Sequence, residues 1–245
     1  MQKAILERFV AKYYLSGAGE SVTWVTSGGK LRTRFMSNDK NVIGTIQTSE
    51  LSFDDGDYAI NNTANFKSLL GVLGDEIEVK VNTRGSKVTS LGLHDASTKV
   101  TFALSNPDVI PSVPDVDNLP DWDGDDVVAL KLDDQFCTTF VKGTNALPDS
   151  NTFTVITEDG VTKIVLGYSP KANTTRVAFV PNLESGTELS RPVQFSADYL
   201  KEIILANKDA KGGLLRVSTR GVAHCTFDVD GFEIEYYLFG IKSKN

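Results

Sequence analysis

A chain of 245 residues with a hydrophobic fraction of 40% and a charged fraction of 23% holds enough apolar sequence for one large or two ordinary domains, which excludes a disordered chain. No apolar run approaches the ~20 residues that span a bilayer. The N-terminus lacks a secretory signal, and the two cysteines, Cys137 and Cys225, make no disulfide framework, so a cytoplasmic, non-secreted protein is expected. The net charge of −7 argues at first against nucleic acid, but residues 106–126 hold seven Asp and no Lys or Arg, a deficit equal to the whole net charge.

In chain order, Lys3 to Leu15 carries apolar residues at Ala4, Ile5, Phe9, Val10, Tyr13 and Tyr14, a helical rhythm that Ser16-Gly17-Ala18-Gly19 ends. Strands are expected over 21–26, 31–36 and 42–48, with turns at 27–30 and 38–39, and a further strand over 51–60 interrupted by Asp54-Asp55-Gly56-Asp57. Thr63-Ala64-Asn65 opens a second helix with Phe66, Leu69, Leu70 and Leu73 on one face, followed by strands over 76–82, 87–93 and 98–104. Residues 106–126, with Pro111, Pro114 and Pro120 among the aspartates, form a stiff connector, because proline cannot donate to a ladder and disfavours helix in the residue before it. Beyond it come a helix over 133–142, a hairpin over 152–157 and 163–168 around Asp159-Gly160, and a strand over 176–180. A helix capped by Ser196 and strands over 214–219, 223–229 and 233–239 complete the chain.

The second half repeats the first. Ile5–Val10 falls on Phe136–Val141 and Ser21–Thr26 on Thr152–Thr157 at an offset of 131; Thr63–Phe66 falls on Ser196–Tyr199 at 133, and Val81–Gly85 on Val217–Gly221 at 136. Ordered matches with slowly growing offsets point to a duplicated domain. The fold class is α+β: two tandem domains, 1–105 and 127–245, joined by the acidic connector 106–126.

Chemistry-bearing motifs are missing. His94 and His224 have no ligand spacing to a cysteine or acidic pair, and Asp121–Asp126 lacks the spacing and terminal Glu of a calcium loop. Ser27-Gly28-Gly29-Lys30 does not match a phosphate loop, and no nucleophile–base pair stands out. The expectation is a non-enzyme with no cofactor and no metal.

Phe195-x-x-x-Tyr199-Leu200, Leu215-Arg216-Val217-Ser218 and the terminal Phe232–Leu238, with its Tyr236-Tyr237-Leu238, resemble the last repeat of a DNA polymerase sliding clamp of the proliferating cell nuclear antigen type. Overall length and the helix at 65–73 look more like the two-domain clamps of bacteriophages. The resemblance implies helices lining one face of curved antiparallel sheets, and a closed homotrimeric ring around duplex DNA that tethers a replicative polymerase with the help of a clamp loader. The DNA-facing residues it implies are Lys3, Arg8, Lys12, Lys67, Lys142, Lys201, Lys208 and Lys211, with Arg8 and Lys12 sharing a face at i, i+4. Such a ring holds DNA by its backbone, without reading bases. The client-peptide pocket would use Met36, Ile110, Val113, Gly221, Val222, Tyr237 and Phe239. The subunit interface would pair strand 99–105, with Val100, Phe102 and Leu104, against strand 175–180 of the next copy, with Arg176, Ala178 and Val180. A rival reading is a virion structural or assembly protein of two β-rich domains; only a clamp needs its lysines gathered on a helix-lined surface.

Overall fold

The computed structural model describes residues 1–85, 87–117, 119–124, 126–170, 174–186 and 188–241. Two compact units emerge, one made of Met1–Ser37, Gly44–Pro114 and Asp230–Ile234, the other of Asn38–Ile43, Asp115–Val229 and Glu235–Asn245. One of the cuts between the units, at Pro114/Asp115, lies within residues 106–126, whose one regular element among the described residues is a 3-10 turn at Pro107–Val109. Asp125 of the acidic run lies outside the described residues. No helix among the described residues is long and apolar enough to cross a membrane.

The first unit is built from α1 (Lys3–Tyr14), β1 (Ser21–Ser27), β2 (Lys30–Met36), most of β3 (Val42–Thr48), β4 (Gly56–Asn61), α2 (Thr63–Leu70), β5 (Glu78–Arg84), β6 (Lys87–His94) and β7 (Lys99–Ala103). Its strands run in the orders β3-β2-β1-β4 and β5-β6-β7. The β1–β2 hairpin turns on Gly28 and Gly29, both at positive φ (59° and 75°), the conformation a two-residue type I′ loop requires. Asn62 caps α2 by accepting the Asn65 N–H at 2.9 Å. Trp24, fully buried on β1, meets Phe9 of α1 and Phe66 of α2 edge-on at 5.5 and 5.4 Å, and Phe66 meets Phe102 of β7 at 4.9 Å. This aromatic chain ties both helices to both sheets.

The second unit repeats the plan with β8 (Val127–Lys131), α3 (Asp134–Ala146), β9 (Thr152–Glu158), β10 (Val161–Leu166), β11 (Val177–Phe179), β12 (Leu183–Ser185), β13 (Val193–Ser196), α4 (Ala197–Ala206), β14 (Gly213–Ser218), β15 (Val222–Phe227) and β16 (Phe232–Phe239). The residues of β16 through Ile234 belong with the first unit. The order β11-β10-β9-β13 mirrors β3-β2-β1-β4, and β14-β15-β16 mirrors β5-β6-β7. Asp159 and Gly160, at φ 54° and 73°, make the same I′ turn as Gly28-Gly29. Asp133 and Ser196 cap α3 and α4 through the Phe136 and Tyr199 N–H groups at 2.8 and 3.3 Å. Phe140 of α3 packs on Phe153 and Phe179, at 5.9 and 5.6 Å.

Three strands, β8, β12 and β13, were not expected from the sequence. Strand β8 pairs with β14, and its counterpart in the first repeat has shrunk to the single bridge Gln2–Glu76. The expected strand over 51–60 is regular only from Gly56; before it, Leu51 and Phe53 are buried in irregular chain, and the Tyr58 hydroxyl donates to the Asp54 carbonyl at 2.6 Å.

Two stability outcomes follow from this packing. Phe140→Ala, which removes a fully buried ring, is expected to cost about 3–5 kcal/mol in denaturant unfolding. The Asp95 carboxylate accepts the N–H groups of Gly74, Ser97 and Thr98, which lowers its pKa from 3.8 to about 2. Its contribution is therefore complete above pH 4 and lost as pH falls toward 2; Asp95→Asn should flatten the acid limb of a stability–pH curve in that window.

Candidate nucleic-acid interface and docking face

Packing decides which helical cations reach solvent. On α1, Lys3 donates to the Leu73 carbonyl at 2.7 Å and lies 3.7 Å from Glu7. Arg8 is half-buried, 3.6 Å from Glu50 and 4.9 Å from the centre of the Phe232 ring. Lys12 lies over the same ring at 5.3 Å and is fully buried. Arg8 and Lys12 do share a face, as their spacing predicts, but Phe232 covers it. Lys12 is thus withdrawn from the DNA-facing set, a correction to the sequence expectation. On α2, Lys67 is exposed with its ammonium 4.4 Å from the Tyr14 ring centre.

The second unit presents its cations more openly. Lys142 of α3 and Lys208, just beyond α4, line one cavity of about 540 Å³ between the two helices, walled by Leu132, Val141, Ile204 and Phe227. Lys201 reaches across from α4 to the Asn145 side-chain oxygen at 2.8 Å. These three lysines share the α3–α4 surface. Lys211 is exposed but stands apart, in a hollow with Lys131, Asp133 and Asp134. The nearby Cys137 thiol is pushed up to about 11, first by burial and then by Asp133 and Asp134, and burial raises the fully buried Cys225 well above its ordinary value; both thiols are free.

At the sheet margins, β7 ends one sheet of the first unit and β11 one sheet of the second, and among the described residues no strand pairs with their outer sides. Val100 and Phe102 turn into the core while Lys99, Thr101 and Ala103 face outward; Leu104 is half-buried. Arg176, Ala178 and Val180 are exposed. Gly143 of α3 lets β11 sit close, because a Cβ there would lie 2.6 Å from the Phe179 ring.

The expected docking residues separate into two groups. In the first unit, Ile110 and Val113 line a cavity of about 300 Å³ with Val25, Arg32 and Thr33, where Arg34 donates to the Pro114 carbonyl at 2.8 Å; Met36 is not among its walls. In the second unit, β16 alternates strictly, burying Tyr236 and Leu238 and leaving Tyr237 and Phe239 on the opposite face. Val222 pairs with Phe239 and His224 with Tyr237, so these side chains share that face. Gly221 (φ 84°) lines a neighbouring cavity of about 490 Å³ with Arg191, Gln194 and Ile241.

Solved structures similar to this chain include the proliferating cellular nuclear antigen of Entamoeba histolytica, with a TM-score of 0.70 at 12% identity over 98% of this chain and 96% of that one. Another is a PCNA2–PCNA3 complex from Sulfolobus tokodaii, with a TM-score of 0.69 at 12% identity over 98% and 97%. No protein-family profile matches the sequence, and no curated protein sequence matches it. The fold is that of a sliding clamp.

On this clamp fold, sequence reasoning missed two residues of the outer face. His224 stacks on Tyr237 with ring centres 4.6 Å apart and planes at 13°, and Trp122 covers His224 at 5.6 Å and 36°. Both His224 ring nitrogens are buried without a hydrogen-bond partner among the described residues. Neither residue belongs to a motif; the signal lay only in strand register, which brings His224 opposite Tyr237.

Burial lowers the His224 pKa below 6.5, opposed by Glu235 and assisted by Arg216, its neighbour across β14. An unfolded chain therefore binds this proton more readily than the folded one, so stability falls as pH drops below 6.5. The His224 ring should titrate in NMR with a midpoint under 6.5, and His224→Phe should remove that part of the pH dependence in urea melts.

Proposed function

We propose that the chain assembles head to tail into a closed homotrimeric ring around duplex DNA and tethers a replicative DNA polymerase there as a processivity factor. The observation that carries this reading is the clamp fold over 98% of the chain. The edge strands β7 and β11 support it: one lies in each unit, so their backbone groups suit pairing with a neighbouring copy in a heterologous, ring-closing contact. Val100 and Phe102 would hold β7 in place from within, while Arg176, Ala178 and Val180 would meet the partner. One of the similar structures is itself a complex of two such chains.

The mechanism is topological rather than catalytic. A closed ring leaves DNA only by opening or by sliding off an end, so few and weak phosphate contacts suffice for long residence. Lys142, Lys201 and Lys208 are the foremost candidates for these contacts, with Lys67, Arg8, Lys3 and Lys211 behind them. The partners are duplex DNA without sequence preference, the polymerase, a clamp loader and further copies of the chain. Met36, Ile110, Val113, Gly221, Val222, Tyr237 and Phe239 are assigned to client-peptide docking, and no cofactor is needed.

Light scattering over a range of concentrations should find a species near three times 26.7 kDa, and that species should be retained on circular DNA but lost from linear DNA. A strict monomer that leaves both DNAs equally fast would overturn the reading. Replacing Lys142, Lys201 and Lys208 with Ala should preserve assembly while lowering the slope of log K against log salt by about one per lost phosphate contact. Lys12→Ala, by contrast, should act on unfolding free energy.

A further inference from the structure

We infer that the outer-face pair His224–Tyr237 is a docking platform for an aromatic side chain, and that Trp122 of the connector is its resident occupant, a built-in competitor of any partner peptide bringing an aromatic anchor. The inference rests on the proposed client-docking role of Tyr237 and deepens it. The platform is two near-parallel rings, with Arg216 and Glu235 the charged groups beside His224. Trp122 shows which chemistry it accepts, a flat ring laid against the imidazole.

Two features make the occupant replaceable. First, the chain around Trp122 is held on its flanks, by Arg220 donating to the Leu119 carbonyl at 3.3 Å and the Thr219 N–H donating to the Asp126 carbonyl at 3.1 Å. Between those anchors, the hydrogen bonds of residues 121–124 among the described residues run from the Asp123 and Gly124 N–H groups to Asp121. The contact seen at the indole itself is its ring contact with His224, of a kind weak enough for a second aromatic ring to replace. Second, among the described residues neither buried ring nitrogen of His224 has a hydrogen-bond partner. An arriving peptide brings backbone carbonyls that can accept the ring N–H, a bond this structure does not give the imidazole, and buried polar groups of this kind call for a partner. The tether gives Trp122 a high effective concentration, so an outside anchor must outcompete it.

The test uses the full chain with Trp122→Ala and, as probe, the acetylated and amidated hexapeptide of residues 119–124. His224 ring resonances are followed by NMR. The peptide should shift them saturably in Trp122→Ala, the same peptide with Ala at the Trp position should not, and wild type should need about tenfold more peptide, the weight of one ring contact. A Trp peptide that leaves His224 unmoved in Trp122→Ala, or that moves wild type as readily, overturns the inference. Acrylamide quenching gives an independent reading without the alanine variant. Taking the difference between wild type and Trp122→Phe, Trp122 should be protected relative to the free hexapeptide, and equal quenching overturns the proposal. None of these readouts involves DNA, so loss of ring closure on DNA would remove the clamp reading and leave this result standing.

Discussion

Everything outward-facing on this molecule depends on the aromatic packing that fixes its helices against its sheets. A helix has one apolar stripe, and whatever covers it determines which residues remain for solvent. In the first unit Trp24 takes that role, contacting Phe9, Tyr13 and Phe66 at once, with Phe66 passing the contact on to Phe102. In the second, Phe140 stands between Phe136, Phe153 and Phe179. With the helices held on their inner sides, Lys67, Lys142 and Lys208 are left outward.

Lys12 shows what helical spacing can and cannot supply. The i, i+4 relation with Arg8 fixes the angle between the two side chains, and both do lie over one ring. Spacing does not fix which direction that shared face points. Phe232, more than 200 positions away, covers it, and no local pattern encodes a neighbour so distant. The same limit hid the three unexpected strands. Val127–Lys131 is a short apolar run buried at four successive positions, a pattern without the alternation that marks a half-exposed strand. Val193–Ser196 runs straight into a helix cap, and Leu183–Ser185 is three exposed residues long.

What the sequence did make legible was the repeat, and the structure explains why. The features that recur in the same order, at slowly growing offsets, are those set by backbone geometry: the two I′ turns at 28–29 and 159–160, the caps at Asn62 and Ser196, and the helix–hairpin order. Identity is not needed for any of these. Gly-Gly and Asp-Gly serve the same positive-φ turn, and Asn and Ser serve the same cap. This is also how 12% identity coexists with a common fold over nearly the full chain: alternation, turn chemistry and capping persist while the side chains that satisfy them change.

The outer face follows a different logic, and its residues were the least legible. Tyr237 and Phe239 could be placed through the resemblance, but His224 carried no spacing worth reading and Trp122 stood inside a run of aspartates that invited an electrostatic account. Their pairing is a matter of register: β15 against β16 sets His224 beside Tyr237, and the indole, between the flanking bonds at Leu119 and Asp126, lies over His224. Charge makes the arrangement more than packing. Charge alone would not hold an acidic connector against this face, and the Trp122 ring contact supplies an attraction that salt does not screen. The indole thus seats the connector on the face where, on the proposed reading, a partner's aromatic anchor would compete.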